Sequence, residues 1–407
     1  MRWIIFGVIF VLLSFYSLQA IKTVFKNSWI NYIYIGFCLL VVVFFTYQWL
    51  QPSEGRVLSI GRSYAMGFLL SLMIFQLLIV VFLLGEDIYR IVAAIIQKFS
   101  GKSETVHLPS RRKFISTAAL GLASIPFLGM LYGMYRGKYN FRVLSYELEF
   151  DDLPDAFDGY QLTQISDIHS GSFDNYDKIA YAVDLINQQQ SDAILFTGDL
   201  VNNLASEMHG YQNLFSTLKA KDGVFSVLGN HDYGDYVDWE NPEDKIQNLE
   251  ELKSIQQQMG WKLLLNEHHS IERENQKIAI VGVENWGKGF IKEGDIDKAA
   301  HLLKAEDFKI VMSHDPSYWQ EKIKSDTNHY QLTLSGHTHG MQFGIEIPGL
   351  IKWSPVKYRY KNWAGIYEEF GRYINVNRGF GYLGYPGRIG IWPEITVIKL
   401  KKKQNFA

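Results

Sequence analysis

Asp167 and His169 close an apolar stretch, QLTQISDIHSGS at residues 161–172. A carboxylate and an imidazole two residues apart at a strand's end point the same way, because strand side chains alternate with period two. Both can then reach one metal ion. By itself Asp-x-His is also the composition of an ordinary surface turn, and its partners come later, each just after an apolar run. They are Asp199 in GDLVNN, Asn230 and His231 in GNHD, His314 in SHDP, and His337 and His339 in GHTH. The set takes five of the chain's eleven histidines. Oxygen and imidazole donors without a thiolate suit divalent ions such as Mn, Fe or Zn and disfavour soft-metal sites. The number of ligands implies two ions.

In this order, D-x-H, GD, GNHD, SHDP and GHTH resemble the motifs of the calcineurin-like metallophosphoesterase superfamily. Within it the chain is similar to bacterial membrane-associated phosphodiesterases with a twin-arginine-type segment ahead of the catalytic domain. The resemblance spans residues 141–400 and implies an α/β fold, a four-layer αββα metallophosphoesterase sandwich of two facing mixed sheets with helices outside. Carried over, it assigns Asp167, His169, Asp199 and His339 to one ion and Asp199, Asn230, His314 and His337 to the other, with Asp199 bridging. Two such ions, about 3.5–4 Å apart, clamp a phosphoryl group and make a metal-bound hydroxide nucleophile near neutral pH. His231, beside Asn230, is then the catalytic candidate that protonates the leaving oxygen or stabilises the transition state, since an imidazole titrates in the right range. Asp232 is read as a brace for the turn.

The chain also departs from the pattern. Asn202 stands where many relatives carry an acidic residue that orients the acid histidine. No arginine follows it, whereas protein phosphatases of the superfamily read GDxVDRG, which argues against protein phosphatase activity. Met341 follows GHTHG where close relatives often have glycine, and is expected to shape the pocket mouth.

The elements that must position these residues are short strands alternating with helices from residue 141 onward. Leu144, Tyr146, Leu148 and Phe150 alternate with polar residues, as in a half-buried strand. Further strands are expected at 160–166, 192–197, 224–228, 277–283, 309–313, 331–335, 373–377 and 394–400, and helices at 174–190, 242–259 and 296–304. The motifs follow strands, and sites in α/β sheets gather at the strands' carboxyl ends.

Residues 1–140 are of another kind, and two domains are expected, a membrane region at 1–140 and a catalytic domain at 141–407. The first part holds 13 Lys/Arg against 4 Asp/Glu, the second 27 against 38. Apolar runs at 3–20, 30–50 and 64–85 are free of Asp, Glu, Lys and Arg. Each is near the ~20 residues that span hydrocarbon. A fourth run occupies 114–135, so about four transmembrane helices form an all-α region ahead of the sandwich. With no charge inside the first three runs, a channel or carrier role is disfavoured. The basic connection at 86–113 belongs in the cytoplasm by the positive-inside rule, which carries the catalytic domain to the extracytoplasmic face of a plasma or inner membrane. Arg136, Lys138 and Arg142 argue for the opposite face. SRRKFIS at 110–116 looks like a twin-arginine export signal. It reads equally as the basic flank of a helix.

An acidic catalytic domain is a poor partner for nucleic acid, and the sequence indicates no protein partner. The partners expected are the lipid bilayer and a phosphoester. The resemblance and the anchor together suggest a phosphodiesterase acting on a phospholipid or a nucleotide-linked lipid, such as a UDP-diacylglucosamine-type substrate. The alternatives are a phosphomonoesterase or pyrophosphatase on small soluble nucleotides, and a catalytically silent tethered metal-binding module. Between residues 344 and 393 the chain is rich in Gly, Tyr and Trp. Arg378 there is the expected substrate-binding residue, and Arg388 is a second cation that could meet a phosphate.

Overall fold

The structure is a computed structural model that describes residues 2–52, 58–100 and 109–404. It divides into two compact units at the junction of Tyr135 and Arg136.

The first unit holds four long helices, α1 (Arg2–Val24), α2 (Ser28–Leu50), α3 (Ile60–Ser100) and α4 (Pro109–Tyr135), each long and apolar enough to cross a membrane. A helix satisfies its backbone polar groups internally, which hydrocarbon demands. The expected break after residue 85 is absent, and α3 runs on for 41 residues. At 1.5 Å per residue that is about 60 Å, twice the hydrocarbon thickness, so its second half cannot all lie in the apolar layer. The charges that suggested a connection instead make pairs along the helix and with α4. Glu86 faces Arg90 one turn on at 3.8 Å, and Arg112 Nη1 donates to Glu86 Oε2 (2.6 Å) and Asp87 Oδ1 (2.5 Å). The Arg111 guanidinium lies 3.8 Å from the centre of the Tyr89 ring. Both arginines of the twin-arginine segment thus join α4 to α3, as a helix flank does. Lys102 of the basic connection lies outside the described residues.

The second unit runs β1 (Arg142–Phe150), β2 (Gln161–Ile165), α5 (Tyr176–Gln188), β3 (Ala193–Phe196), α6 (Gln212–Phe215), β4 (Val224–Ser226), α7 (Pro242–Gln258), β5 (Trp261–Leu263), β6 (Glu267–Arg273), β7 (Gln276–Gly282), α8 (Ile296–Ala299), β8 (Phe308–Met312), α9 (Pro316–Glu321), β9 (Leu332–Ser335), β10 (Ile345–Ile347), β11 (Ile351–Trp353), β12 (Gly365–Glu369), β13 (Arg372–Val376) and β14 (Glu394–Lys402). One six-stranded sheet has the order β1-β14-β2-β3-β4-β5, and the other β12-β13-β9-β8-β7-β6. The central pairs β2·β3, β3·β4, β7·β8 and β8·β9 are parallel.

Period-two alternation builds the layers. On β3, Ala193 and Leu195 enter the core between the sheets while Ile194 and Phe196 meet α5 and α7 on the outside. On β8, Phe308, Ile310 and Met312 face inward and Val311 packs with α8 and α9. Strands buried on both faces read as apolar runs, and these do apart from Lys309 on β8, whose ammonium donates to the carbonyls of Ala305 and Asp307. The arrangement is helix, sheet, sheet, helix, the expected αββα sandwich.

Differences fall where the apolar signal is short. The helix expected over 296–304 is capped by the Asp295 carboxylate but stops at Ala299, with Leu302 soon after at φ +74°. Strands β5, β6 and β10–β12 are edge or three-residue elements whose pairing depends on distant neighbours.

Candidate active site

All five motifs leave the carboxyl ends of parallel central strands, three from the first sheet (β2, β3, β4) and two from the second (β8, β9). The chain turns sharply there. Asp167, His169, Asp199, His337 and His339 all adopt positive φ, between 49° and 70°. Left-handed backbone at non-glycine residues costs on the order of 1 kcal/mol or more each and persists where surrounding structure enforces it. The glycines of the motifs make room for the carboxylates. A Cβ on Gly229 would lie 2.2 Å from Asp199 Oδ1, and one on Gly336 would lie 2.2 Å from Asp167 Oδ2.

Two groups result, Asp167 with His169 and His339, and Asp199 with His314 and His337, each with donor atoms within 4.8 Å of one another. In the first, His339 Nε2 is 3.2 Å from Asp167 Oδ1 and 3.0 Å from His169 Nε2. In the second, His314 Nε2 is 3.1 Å from Asp199 Oδ2 and 3.3 Å from His337 Nδ1. Asp199 Oδ2 also lies 3.6 Å from His169 Nε2, so one carboxylate faces both groups. Asn230 Oδ1 is 2.8 Å from His337 Nδ1, and His231 packs edge-on to His169 with ring centres 5.0 Å apart.

Hydrogen bonds on the far side of the rings decide which nitrogen faces the cluster. A carbonyl can only accept, so His314 Nδ1–H donates to Thr197 O (2.8 Å) and its Nε2 lone pair turns inward. The Tyr360 hydroxyl holds His337 Nε2 at 2.9 Å, leaving Nδ1 for the cluster. Asp232 braces the loops. Its carboxylate accepts from the backbone N–H groups of Gly229 (2.8 Å), Asp199 (2.9 Å) and Leu200 (2.8 Å).

Burial would raise the Asp167 and Asp199 carboxyls, yet His339 beside the first and His314 beside the second hold both well below the usual carboxylate range. Burial disfavours charge on His314, but Asp199 pushes it up to about 10. Burial lowers His169 and His337. Burial and the nearby Asp199 charge push Asp232 up to about 7. The pocket is therefore built to favour positive charge between its two inner carboxylates.

Several expectations change. His231 Nδ1–H donates to the backbone carbonyl of Asn202 (2.7 Å), and the Asn202 amide instead meets Ser172 Oγ at 3.0 Å. The missing acidic side chain is thus replaced by main chain. Arg378, expected at the substrate, is buried and engaged by Glu346 (2.6 Å) and Glu394 (2.5 Å), so its charge is already neutralised. Arg388 is fully buried behind His339, donating to the carbonyls of Gly379 and Gly381. Burial lowers it to about 9. Met341, two residues after the last histidine, is exposed.

Tyr236, Phe290 and Arg359 were not foreseen, and Tyr360 was expected only as one of the aromatics of the C-terminal stretch. Tyr236 OH accepts from Asn230 Nδ2 (2.9 Å), and Phe290 meets His337 edge-on at 4.7 Å. Arg359 lies over the Phe290 and Tyr360 rings, 5.4 Å from each centre. No local spacing marks these residues, since Tyr236, Phe290 and the adjacent Arg359 and Tyr360 come from three segments far apart in sequence.

The family model described as "Calcineurin-like phosphoesterase" matches residues 160–341, and that described as "Probable Calcineurin-like phosphoesterase, transmembrane domain" matches residues 1–138. The chain carries a calcineurin-like metallophosphoesterase domain preceded by a transmembrane domain of the kind found with such phosphoesterases. It resembles the metallophosphoesterase YkuE of Bacillus subtilis, 28% identical over 300 residues that cover 72% of this chain and 98% of the relative. A metallophosphoesterase of Helicobacter pylori strain J99 is 26% identical over 405 residues, 96% of this chain and 95% of the relative. The phosphodiesterase YaeI of Escherichia coli is 27% identical over 296 residues, 72% and 99%. A domain of this family implies divalent metal ions, and the two buried groups are candidate places for them. The donors fit. Ring nitrogens facing one another at 3.0 and 3.3 Å beside carboxylates form an oxygen and imidazole set that a divalent cation satisfies better than shared protons do. The phosphoesterase is an integral membrane protein with four apolar helices.

Proposed function

We propose that this membrane metallophosphoesterase is a phosphodiesterase that uses two divalent ions, Mn, Fe or Zn. Asp167, His169, Asp199 and His339 hold one, and Asp199, Asn230, His314 and His337 hold the other. The observation that carries this reading is Asp199 Oδ2, 3.6 Å from His169 Nε2 and 3.1 Å from His314 Nε2, within reach of both groups. When bound, such a pair supplies Lewis acidity for a phosphoryl group and for an attacking water.

The chain's own residues complete the chemistry. His231 keeps Nδ1–H on the Asn202 carbonyl, so Nε2 is the atom that hands a proton to the leaving oxygen. The backbone N–H of His231 donates to Asp199 Oδ1 at 2.9 Å, which ties the acid to the shared carboxylate. The substrate proposed is a phospholipid or nucleotide-linked lipid, a reading supported by the spans that tether the catalytic unit to a bilayer. The positive-inside reading of the basic segment supports an extracytoplasmic site.

Metal-stripped full-length protein in detergent, titrated with Mn, Zn and Fe, tests this against a chromogenic phosphodiester, its monoester and a pyrophosphate. Metal-dependent diester cleavage in excess of the other two supports the proposal. Preference for monoester or pyrophosphate would move the substrate to small soluble nucleotides, and silence with every metal would leave a tethered metal-binding module.

A further inference from the structure

The β10–β11 hairpin is amphipathic the wrong way round for a soluble surface. Its register pairs Ile345 with Trp353, Glu346 with Lys352 and Ile347 with Ile351. The two charged residues therefore share one face, and the isoleucines and Trp353 share the other.

The charged groups are the ones bonded to the domain, although the Lys352 side chain stays partly open to solvent. Glu346 accepts from Arg378 at 3.0 and 2.6 Å. Lys352 Nζ donates to the Ala364 carbonyl and lies over the Trp363 and Tyr367 rings. The apolar face is turned out, with Ile345 and Ile347 each 49% exposed and Ile351 42%. Leu350, in the turn made by Pro348 and Gly349 (φ +73°), is 79% exposed. Contiguous exposed apolar surface marks a contact with another apolar phase. Positive charge stands next to it on the returning chain, where Lys357 and Arg359 are both exposed. The domain as a whole has the opposite balance, 27 Lys/Arg against 38 Asp/Glu from residue 141 onward.

Apolar side chains with neighbouring cations are the composition of an interfacial membrane anchor, and anionic lipid attracts such cations near its surface. A bilayer is also within reach, because the same chain carries four spans. We propose that the β10–β11 hairpin is a membrane-contact element of the catalytic unit. Ile345, Ile347, Leu350 and Ile351 enter the boundary between headgroups and acyl chains of an anionic bilayer, while Lys357 and Arg359 meet its phosphates.

The hairpin is joined to the site at both ends. Ile345 follows His339 by six residues, and the return leads to Tyr360, whose hydroxyl holds His337. Contact with the bilayer then brings lipid headgroups to the mouth of the metal cluster. This deepens the proposed function, and its consequence for turnover rests on that reading.

The position of Leu350 can be read directly. The full chain carrying Cys38→Ser and Leu350→Cys takes an environment-sensitive fluorophore in liposomes with and without phosphatidylglycerol, and a Glu243→Cys label on exposed α7 serves as control. Expected is a severalfold loss of emission from position 350 with a lipid-borne quencher, larger with phosphatidylglycerol, and little loss with aqueous iodide. The control should show the reverse. Iodide access at 350 equal to that at 243 would overturn the proposal, as would shielding from both quenchers, which would mean a protein or a second copy covers the hairpin. Quenching indifferent to phosphatidylglycerol would overturn the part given to Lys357 and Arg359. Soluble diester turnover is measured on the same samples. Its absence would count against the catalytic reading while the quenching result stands.

Discussion

Asp199→Asn should strip both metal groups at once. The replacement is nearly isosteric, and its side-chain oxygen can still accept from the His231 backbone N–H, so the loops keep their tie. What disappears is one negative charge between two sets of ring nitrogens. Its size can be worked in two ways. A unit charge pair at the 3.1 Å between Asp199 Oδ2 and His314 Nε2 is worth about 5 kcal/mol at an effective dielectric of about 20. The rise of His314 from 6.5 to about 10 is of the same order, being what remains after the burial penalty with Asp199 as the largest favourable cause and Asp167 and Thr197 adding to it. If the amide dipole and entering water recover half, the loss for a cation is still about 2–3 kcal/mol, or on the order of a hundredfold in affinity. Metal analysis of the full chain after dialysis against buffered Mn is the assay. Wild type is expected to hold two ions and the variant less than one. Two retained ions in a folded variant would refute the bridging role of Asp199.

Three further outcomes are expected. His231→Ala should keep both ions by the same metal analysis yet slow diester turnover by on the order of a hundredfold, as loss of a general acid does. Metal affinity should rise with pH between 7 and 9 by about tenfold per unit, because a cation must displace the proton that Asp199 holds on His314. The sign in metal-free protein is opposite. A histidine raised in the folded state contributes stability that is complete below about pH 6.5 and lost as pH rises through about 10. Metal titrations and apo-protein melting at several pH values check the two together. Asp232→Ala would orphan three closely bonded backbone N–H groups, of Gly229, Asp199 and Leu200. At about 1 kcal/mol or more each, the cost is about 3 kcal/mol, visible as a thermal midpoint lowered by roughly 10 °C.

The elements legible in the sequence are those whose cause is local. Four apolar runs near the length that spans hydrocarbon read as spans, and Ala193–Phe196, like Phe308–Met312 apart from Lys309, is apolar because both faces of the strand are covered. Asp167, Asp199, Asn230, His314 and His339 were legible as a set because each sits in a short motif after such a run. Local causes did not extend to pairing across the chain. The continuation of α3 past Gly85 rests on Glu86 and Asp87 meeting Arg112 from the next helix. Three-residue strands such as β5 exist only because a neighbouring strand supplies their hydrogen bonds. The roles of the arginines were decided by tertiary structure for the same reason. Arg378 looks like a phosphate ligand until Glu346 and Glu394, 32 and 16 residues away, are seen to hold it. Asn202 orients His231 through a carbonyl that every residue possesses, so no side-chain pattern could announce it. Sequence alone determined which donor types were available and the strand ends that would carry them. Folding decided which donors share an ion-sized space and which charges were already paired, because electrostatic attraction depends on separations that the chain acquires only when the two sheets close on each other.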